Sequence, residues 1–268
     1  MTYPEAGFAP AWPAPANVGA FITYRRGGYS PEPYRSNNLG THVGDDPEAV
    51  DRNRQQLSQQ LGIAPPCWLE QVHGTDIAEA GHFTTHSTTH STTPPAVDGS
   101  FSHRPGMVCA VLTADCLPLL LCDRFGGQVA AVHCGWRGLA GGIIDRILAA
   151  FDREAPDLLA YLGPAISQRH YEVGRDVQAA LSASVSLSPK FSQAVTNKPG
   201  HFMVDLVAVA RAQLRERGVT QIYGGERCTF AEADAFYSYR RDGVTGRMAS
   251  LIWLKSAANL QSVVGPPI

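Results

Sequence analysis

The sequence predicts one mixed α/β domain, of the α+β kind, and three observations predict it. Segments with strand alternation and segments with helical spacing interleave from Val18 to Leu254. No shift in composition divides the 268 residues. Apolar residues make up 44% and charged residues 17%, which leaves ample side chains for a core.

The elements follow in order. Residues 1–17 read as a loose leader, because Pro4, Pro10, Pro13 and Pro15 interrupt any regular element. Val18 to Tyr24 is a strand, followed by a Gly/Pro loop and by the polar, glycine-rich stretch Ser36 to Asp46. Asp46 and Pro47 open a helix as N-cap and first residue; it runs to Leu61, where Gly62 stops it. Val50, Leu57 and Leu61 mark its buried stripe, and Asn53 and Arg54 fall on the same stripe. An Arg there either covers apolar surface with its stem or reaches an anion.

Cys67 to His73 alternates as a strand ended by Gly74, with Leu69, Gln71 and His73 on one face. Residues 82–95 contain a repeated His-Ser-Thr-Thr and end in Pro-Pro, the composition of a disordered surface insertion. Met107–Thr113, Leu117–Cys122 and Gln128–His133 are strands. Gly135 to Gly142 is a glycine turn leading into a helix that buries Leu139, Ile143, Ile147 and Phe151. Leu158–Leu162 is a short strand, and Arg175–Ala183 and Val204–Arg217 are amphipathic helices, the second stopped by Gly218. Thr220–Tyr223, Phe236–Arg240 and Met248–Leu254 complete the strands, with Asp242-Gly243 in a turn between the last two.

Three Cys and His residues sit at the ends of predicted strands: His73, Cys116 and His133. Strand ends release side chains into clefts. Two His and one Cys make a three-ligand set for a metal with an open fourth position, and zinc in such a site activates water near neutral pH. The same residues also fit buried core groups, or a Cys116 nucleophile with His133 as its base. Their spacing matches no short zinc motif. Other classes recede. A formal charge of −2 without a basic block argues against a nucleic-acid binder. No 18-residue apolar run suggests a membrane span, and no secretory pattern opens the chain, so a cytoplasmic location is expected. The six Cys form no small-domain disulfide framework.

Gln71-Val-His73-Gly74, Thr113-Ala-Asp-Cys116-Leu-Pro118, Ala131-Val-His133-Cys-Gly-Trp-Arg-Gly138, Leu162-Gly-Pro-Ala-Ile166, Phe236-Tyr-Ser-Tyr-Arg-Arg241 and Thr245-Gly-Arg247 together resemble one family over nearly the whole chain. It is the laccase-domain or multicopper polyphenol oxidase-like family, also called the purine nucleoside phosphorylase family, with bacterial members labelled peptidoglycan editing factors. The resemblance implies centrally packed mixed β-sheets flanked by helices, distantly related to a toxin-type cysteine deamidase fold. It implies zinc on His73, Cys116 and His133, with copper the lesser alternative.

The implied activity is phosphorolysis of adenosine, inosine, guanosine and methylthioadenosine to base and (methylthio)ribose 1-phosphate, with deamination of adenosine to inosine. The alternatives are a peptidoglycan-precursor editing amidase and a copper polyphenol oxidase; the latter needs many more His than the nine here, three of which lie in the insertion. Asp115 and Asp98 are candidate proton shuttles. Arg54 is the candidate phosphate ligand, and Asn38, Gln71 and Arg240 are candidate nucleoside contacts. The expected partners are a purine nucleoside and phosphate, and a monomer is the favoured form.

Overall fold

The structure, a computed structural model, describes residues 5–81, 94–185 and 190–256. Along the chain come β1 (Gly7–Phe8), β2 (Val18–Thr23), α1 (Pro47–Leu61), β3 (Ile77–Glu79), β4 (Gly99–Ser102), β5 (Val108–Thr113), β6 (Leu117–Asp123) and β7 (Val129–Cys134). Then follow α2 (Trp136–Gly141), α3 (Ile143–Ala149), β8 (Leu158–Leu162), β9 (Glu172–Gly174), α4 (Arg175–Ala183), β10 (Ser192–Ala194) and β11 (His201–Val204). The chain closes with α5 (Leu206–Glu216), β12 (Gln221–Gly224), α6 (Tyr239–Asp242) and β13 (Met248–Leu254).

Two large sheets stack. The first is antiparallel, in the order β1-β2-β13-β5, and the second is mixed, in the order β12-β8-β6-β7-β4-β3. Strand alternation assigns each face. In β6, Leu117, Leu119 and Leu121 join a core with α3 and α5, while Leu120 and Cys122 join the core between the sheets. In β13, Ile252 and Leu254 enter the inter-sheet core, while Ala249, Leu251 and Trp253 meet Leu57 of α1. The layers therefore run α1, first sheet, second sheet, outer helices, as the α+β expectation requires. Strands buried on both faces read as continuous apolar runs, which is why β6 and β13 are legible.

Helix α1 has the predicted ends. The Asp46 side chain accepts from Glu48 N at 3.1 Å, and Gly62 turns left-handed at φ 61°. The expected glycine turn after Gly135 is itself helical: α2 occupies it, and Gly142 at φ 91° separates α2 from α3.

Four expectations need correction. The residues from 5 to 17 are tied down: Gly7 and Phe8 pair with Thr23 and Ile22, and Ala6 is buried. Cys67 to His73 runs along the open edge of β5 with a single bridge, Cys67 to Cys109, and is otherwise loop. There the Gln71 amide takes the place of a backbone pair, donating to Leu112 O at 2.8 Å and accepting from Leu112 N at 2.7 Å. Phe236 to Arg240 is not a strand. Phe236 and Tyr237 are buried, but Ser238 caps α6, so Asp242-Gly243 closes no hairpin. The strands β4, β9 and β10 have no apolar run to announce them. The insertion expected over 82–95 lies, apart from Pro94 and Pro95, outside the described residues.

Candidate active site

Strands β6 and β7 are antiparallel, with Leu117 opposite Cys134 and Pro118 opposite His133. That register sets Cys116, just before β6, beside Gly135, just after β7. His73 arrives from the loop along β5, turned into place at φ 60°. One ligand atom from each of His73, Cys116 and His133 lies within 4.8 Å of the others. The two imidazoles meet edge-on, at 4.8 Å between centroids and 84° between planes. A Cβ on Gly135 would lie 3.3 Å from His73 Cδ2, 3.4 Å from Cys116 Sγ and 3.6 Å from His133 Cε1. The glycine thus leaves the three donors the room they converge on.

Asp98, fully buried, organises this centre. Its Oδ1 lies 2.8 Å from His133 Nδ1 and accepts from His73 N at 3.0 Å; its Oδ2 accepts from Gly74 N at 2.6 Å and Val72 N at 3.2 Å. Burial alone would raise its pKa, but the His133 bond and these amides hold it below the ordinary carboxylate value. With Asp98 on Nδ1, the Nε2 of His133 is left to face the other donors. Both oxygens are committed, so Asp98 is a positioning residue and not the proton shuttle expected as one alternative.

Burial pushes the Cys116 thiol up, but the adjacent His133 charge and the hydrogen bonds from His133 and His73 more than reverse this, bringing it to about 6. Burial likewise lowers His133, and the Cys116 thiolate and the Asp98 bond overcome it, raising the imidazole above its ordinary value. The donors are soft and electron-rich, a sulfur and two imidazole nitrogens, and this fits zinc. Of the six free Cys, Cys116 alone is not buried, and burial pushes the thiols of Cys67, Cys109, Cys122 and Cys134 up. Brief alkylation of metal-free protein at neutral pH is therefore expected to label Cys116 alone, and added zinc to protect it. Peptide mapping that finds another Cys labelled first would contradict this.

The other expected site residues divide. Asn38 is fully buried and spent on the fold: its Oδ1 accepts from Gly40 N and Arg247 N, and its Nδ2 donates to Gly40 O and Asp45 Oδ2. Its expected nucleoside contact is corrected to a loop staple, and Gln71, committed to Leu112, is corrected in the same way. Asp115 is also engaged. Its Oδ1 accepts from the Thr229 hydroxyl at 2.6 Å and its Oδ2 from Arg240 N at 2.7 Å. Together these hold a left-handed turn, φ 101°, that aims Cys116. The geometry gives Asp115 a positioning part in place of proton transfer.

Arg54 remains available to an anion. Its Nε and Nη2 donate to Leu39 O at 2.9 and 2.7 Å and its guanidinium lies 4.2 Å over the Trp68 ring, with no such bond from Nη1 among the described residues. Partial burial, then the charges of Arg247, Arg54 and His73, lower the pKa of His42, so these four groups share one neighbourhood. Arg247 in turn feels Cys116 and Asp115. The result is a flank of two guanidiniums, Arg54 and Arg247, with the His42 imidazole near both and favoured in its neutral form, beside the three donors. Arg240 stands at the rim, exposed, donating from Nη1 to Glu172 O at 2.7 Å with its guanidinium over Tyr171.

Sequence reasoning assigned no role to His42 or Arg247, although both lie in stretches it had singled out. It also missed the Asp98 clamp. A carboxylate between two strands and a pair of metal-type His was the available signal.

A Cys and two His converging at the ends of stacked sheets, with a buried carboxylate behind one His, form a group that could hold one metal ion on an α+β sandwich. The chain belongs to the family described as multi-copper polyphenol oxidoreductase laccase, which matches residues 19–255. It is 44% identical over 254 residues to a protein of Pseudomonas aeruginosa named purine nucleoside phosphorylase, covering 94% of this chain and 99% of that one. An Escherichia coli protein named purine nucleoside phosphorylase YfiH is 45% identical, over 91% of this chain and 97% of its own. Among solved structures, a Neisseria meningitidis protein superposes with a TM-score of 0.87 at 47% identity, covering 94% of this chain and all of that one. YlmD from Geobacillus stearothermophilus gives 0.87 at 33% identity, over 96% and 98%.

Proposed function

We propose that the protein is a zinc-dependent purine nucleoside phosphorylase, acting on adenosine, inosine, guanosine and methylthioadenosine, that also deaminates adenosine to inosine. One observation carries the reading: a His73–Cys116–His133 donor set lies beside the guanidiniums of Arg54 and Arg247 and the His42 imidazole. A metal centre next to an anion site suits a reaction that joins phosphate to a nucleoside. The names of the relatives point the same way.

Zinc held by the three donors would supply Lewis-acid polarisation of a bound oxygen. Arg54, Arg247 and His42 bind phosphate and turn one of its oxygens toward C1′ of the ribose. Formation of the C1′–O bond and cleavage of the C1′–N9 bond give ribose 1-phosphate and the free base, which leaves with the C1′–N9 electron pair and takes up the proton that hydrogen phosphate gives up. Asp98 keeps His133 in the ligating tautomer, and Asp115 keeps Cys116 aimed. A copper oxidase would need further metal clusters, and the described residues hold this one group.

Metal-replete protein given adenosine and phosphate is expected to form adenine and ribose 1-phosphate, with inosine as a second product. Absence of turnover with every purine nucleoside would overturn the reading. Release of L-serine from a UDP-linked muropeptide precursor, without nucleoside turnover, would instead favour the editing amidase.

A further inference from the structure

The described residues expose three aromatic rings on the surface: Tyr29 at 46%, Phe125 at 55% and Tyr239 at 62%. Two of them are covered. The Arg52 guanidinium lies 3.9 Å over Tyr29, and those of Arg124 and Arg153 lie 4.9 and 5.1 Å over Phe125. Among the described residues no ring or guanidinium lies over Tyr239. Of the three, the most exposed ring is thus the one with neither a ring nor a guanidinium over it among the described residues.

Its support is rigid. Helix α6 is four residues long and buries none of them, so packing does not hold it. Hydrogen bonds do. Ser238 Oγ accepts from Arg241 N, and Arg241 donates to the carbonyls of Thr229, Phe230 and Phe236. Arg240 N donates to Asp115 Oδ2, and Arg240 Nη1 to Glu172 O. One of these bonds ends on the residue that aims Cys116. The turn is thus registered to the candidate metal centre, and Tyr239 is the aromatic side chain it presents to solvent. A flat, exposed ring on a hydrogen-bonded turn tied to the candidate centre, with no ring or guanidinium stacked on it among the described residues, is a stacking surface for a planar heterocycle.

We propose that Tyr239 is the platform on which the purine ring of the substrate lies. The proposal rests on the purine nucleoside reading above and gives that site its base-recognising residue. Stacking is blind to the exocyclic groups of the base, so the platform explains acceptance of adenine, guanine and hypoxanthine alike. Phosphate is assigned to Arg54 and Arg247, and Tyr239 lies close enough to Arg247 to act on its charge.

The test compares Tyr239→Ala and Tyr239→Phe with the parent, at saturating phosphate and then at saturating adenosine. Tyr239→Ala is expected to raise the KM for adenosine roughly tenfold and to leave the KM for phosphate within about twofold. Tyr239→Phe, which keeps the ring, is expected to match the parent. The side chain is exposed, so both variants are expected to melt with the parent. An unchanged adenosine KM in Tyr239→Ala, or a Phe variant as impaired as the Ala variant, would overturn the platform.

A titration with the fluorescent riboside of 2-aminopurine separates this inference from the reading beneath it. Quenching by the parent and not by Tyr239→Ala supports the platform even if no nucleoside is turned over, in which case phosphorolysis alone has failed. Equal quenching by both proteins, or none by either, removes the platform.

Discussion

Asp98→Asn is expected to weaken metal binding by about 10- to 100-fold, the usual cost of losing the group that orients a ligating imidazole. The substitution keeps shape and removes charge. Asp98 accepts from three backbone amides and holds His133 Nδ1, so all four partners want an acceptor. An amide has one. If its oxygen faces Gly74 and Val72, its NH2 faces His133 Nδ1 and drives the proton to Nε2, the nitrogen required for the metal. If its oxygen faces His133, its NH2 confronts the amides of residues 72 and 74. The second arrangement leaves buried N–H groups unpaired, at about 1–3 kcal/mol each. Competition with a chromophoric chelator measures the affinity, and melting of the metal-free protein reads the loop. A variant that binds zinc like the parent would remove Asp98 from the site.

Arg54→Gln is expected to raise the KM for phosphate about 10- to 100-fold, the worth of one charge-assisted bond, with the KM for adenosine nearly unchanged. Gln keeps a donor for Leu39 O, so the loop contact survives the loss of charge. The competing role for Arg54 is purely structural, because its guanidinium lies over Trp68 and bonds a carbonyl. That role predicts a lower melting temperature with an unchanged phosphate KM. Initial rates over a phosphate series, set beside melting curves, separate the two.

The sandwich was legible where burial on both faces leaves unbroken apolar runs, as in Leu117–Asp123 and Met248–Leu254. It was not legible where side chains replace backbone partners. Cys67 to His73 alternates like a strand, but the Gln71 amide occupies the ladder position at Leu112 and the chain turns away at His73. Phe236 and Tyr237 are apolar and buried, yet Ser238 and Arg241 wind the next residues into a helical turn. The three metal-type donors were legible as strand-end residues within family motifs. The amide residues around them were not, because Asn38 and Gln71 suit a ligand and a loop equally well until the loop is seen. The flank of Arg54, Arg247 and His42 was half legible. Arg54 stood out on the buried stripe of α1, whereas His42 and Arg247 come from separate loops that only the fold brings together.

The central claim is that His73, Cys116 and His133 hold one catalytic zinc. Metal analysis of protein purified without a His tag, run beside adenosine phosphorolysis on the same samples, tests it most directly. The account predicts about one zinc per chain in the parent, with adenine and ribose 1-phosphate formed, and neither metal nor product in Cys116→Ala of unchanged fold. A parent that turns over adenosine without stoichiometric metal, or a Cys116→Ala variant as active as the parent, would contradict it.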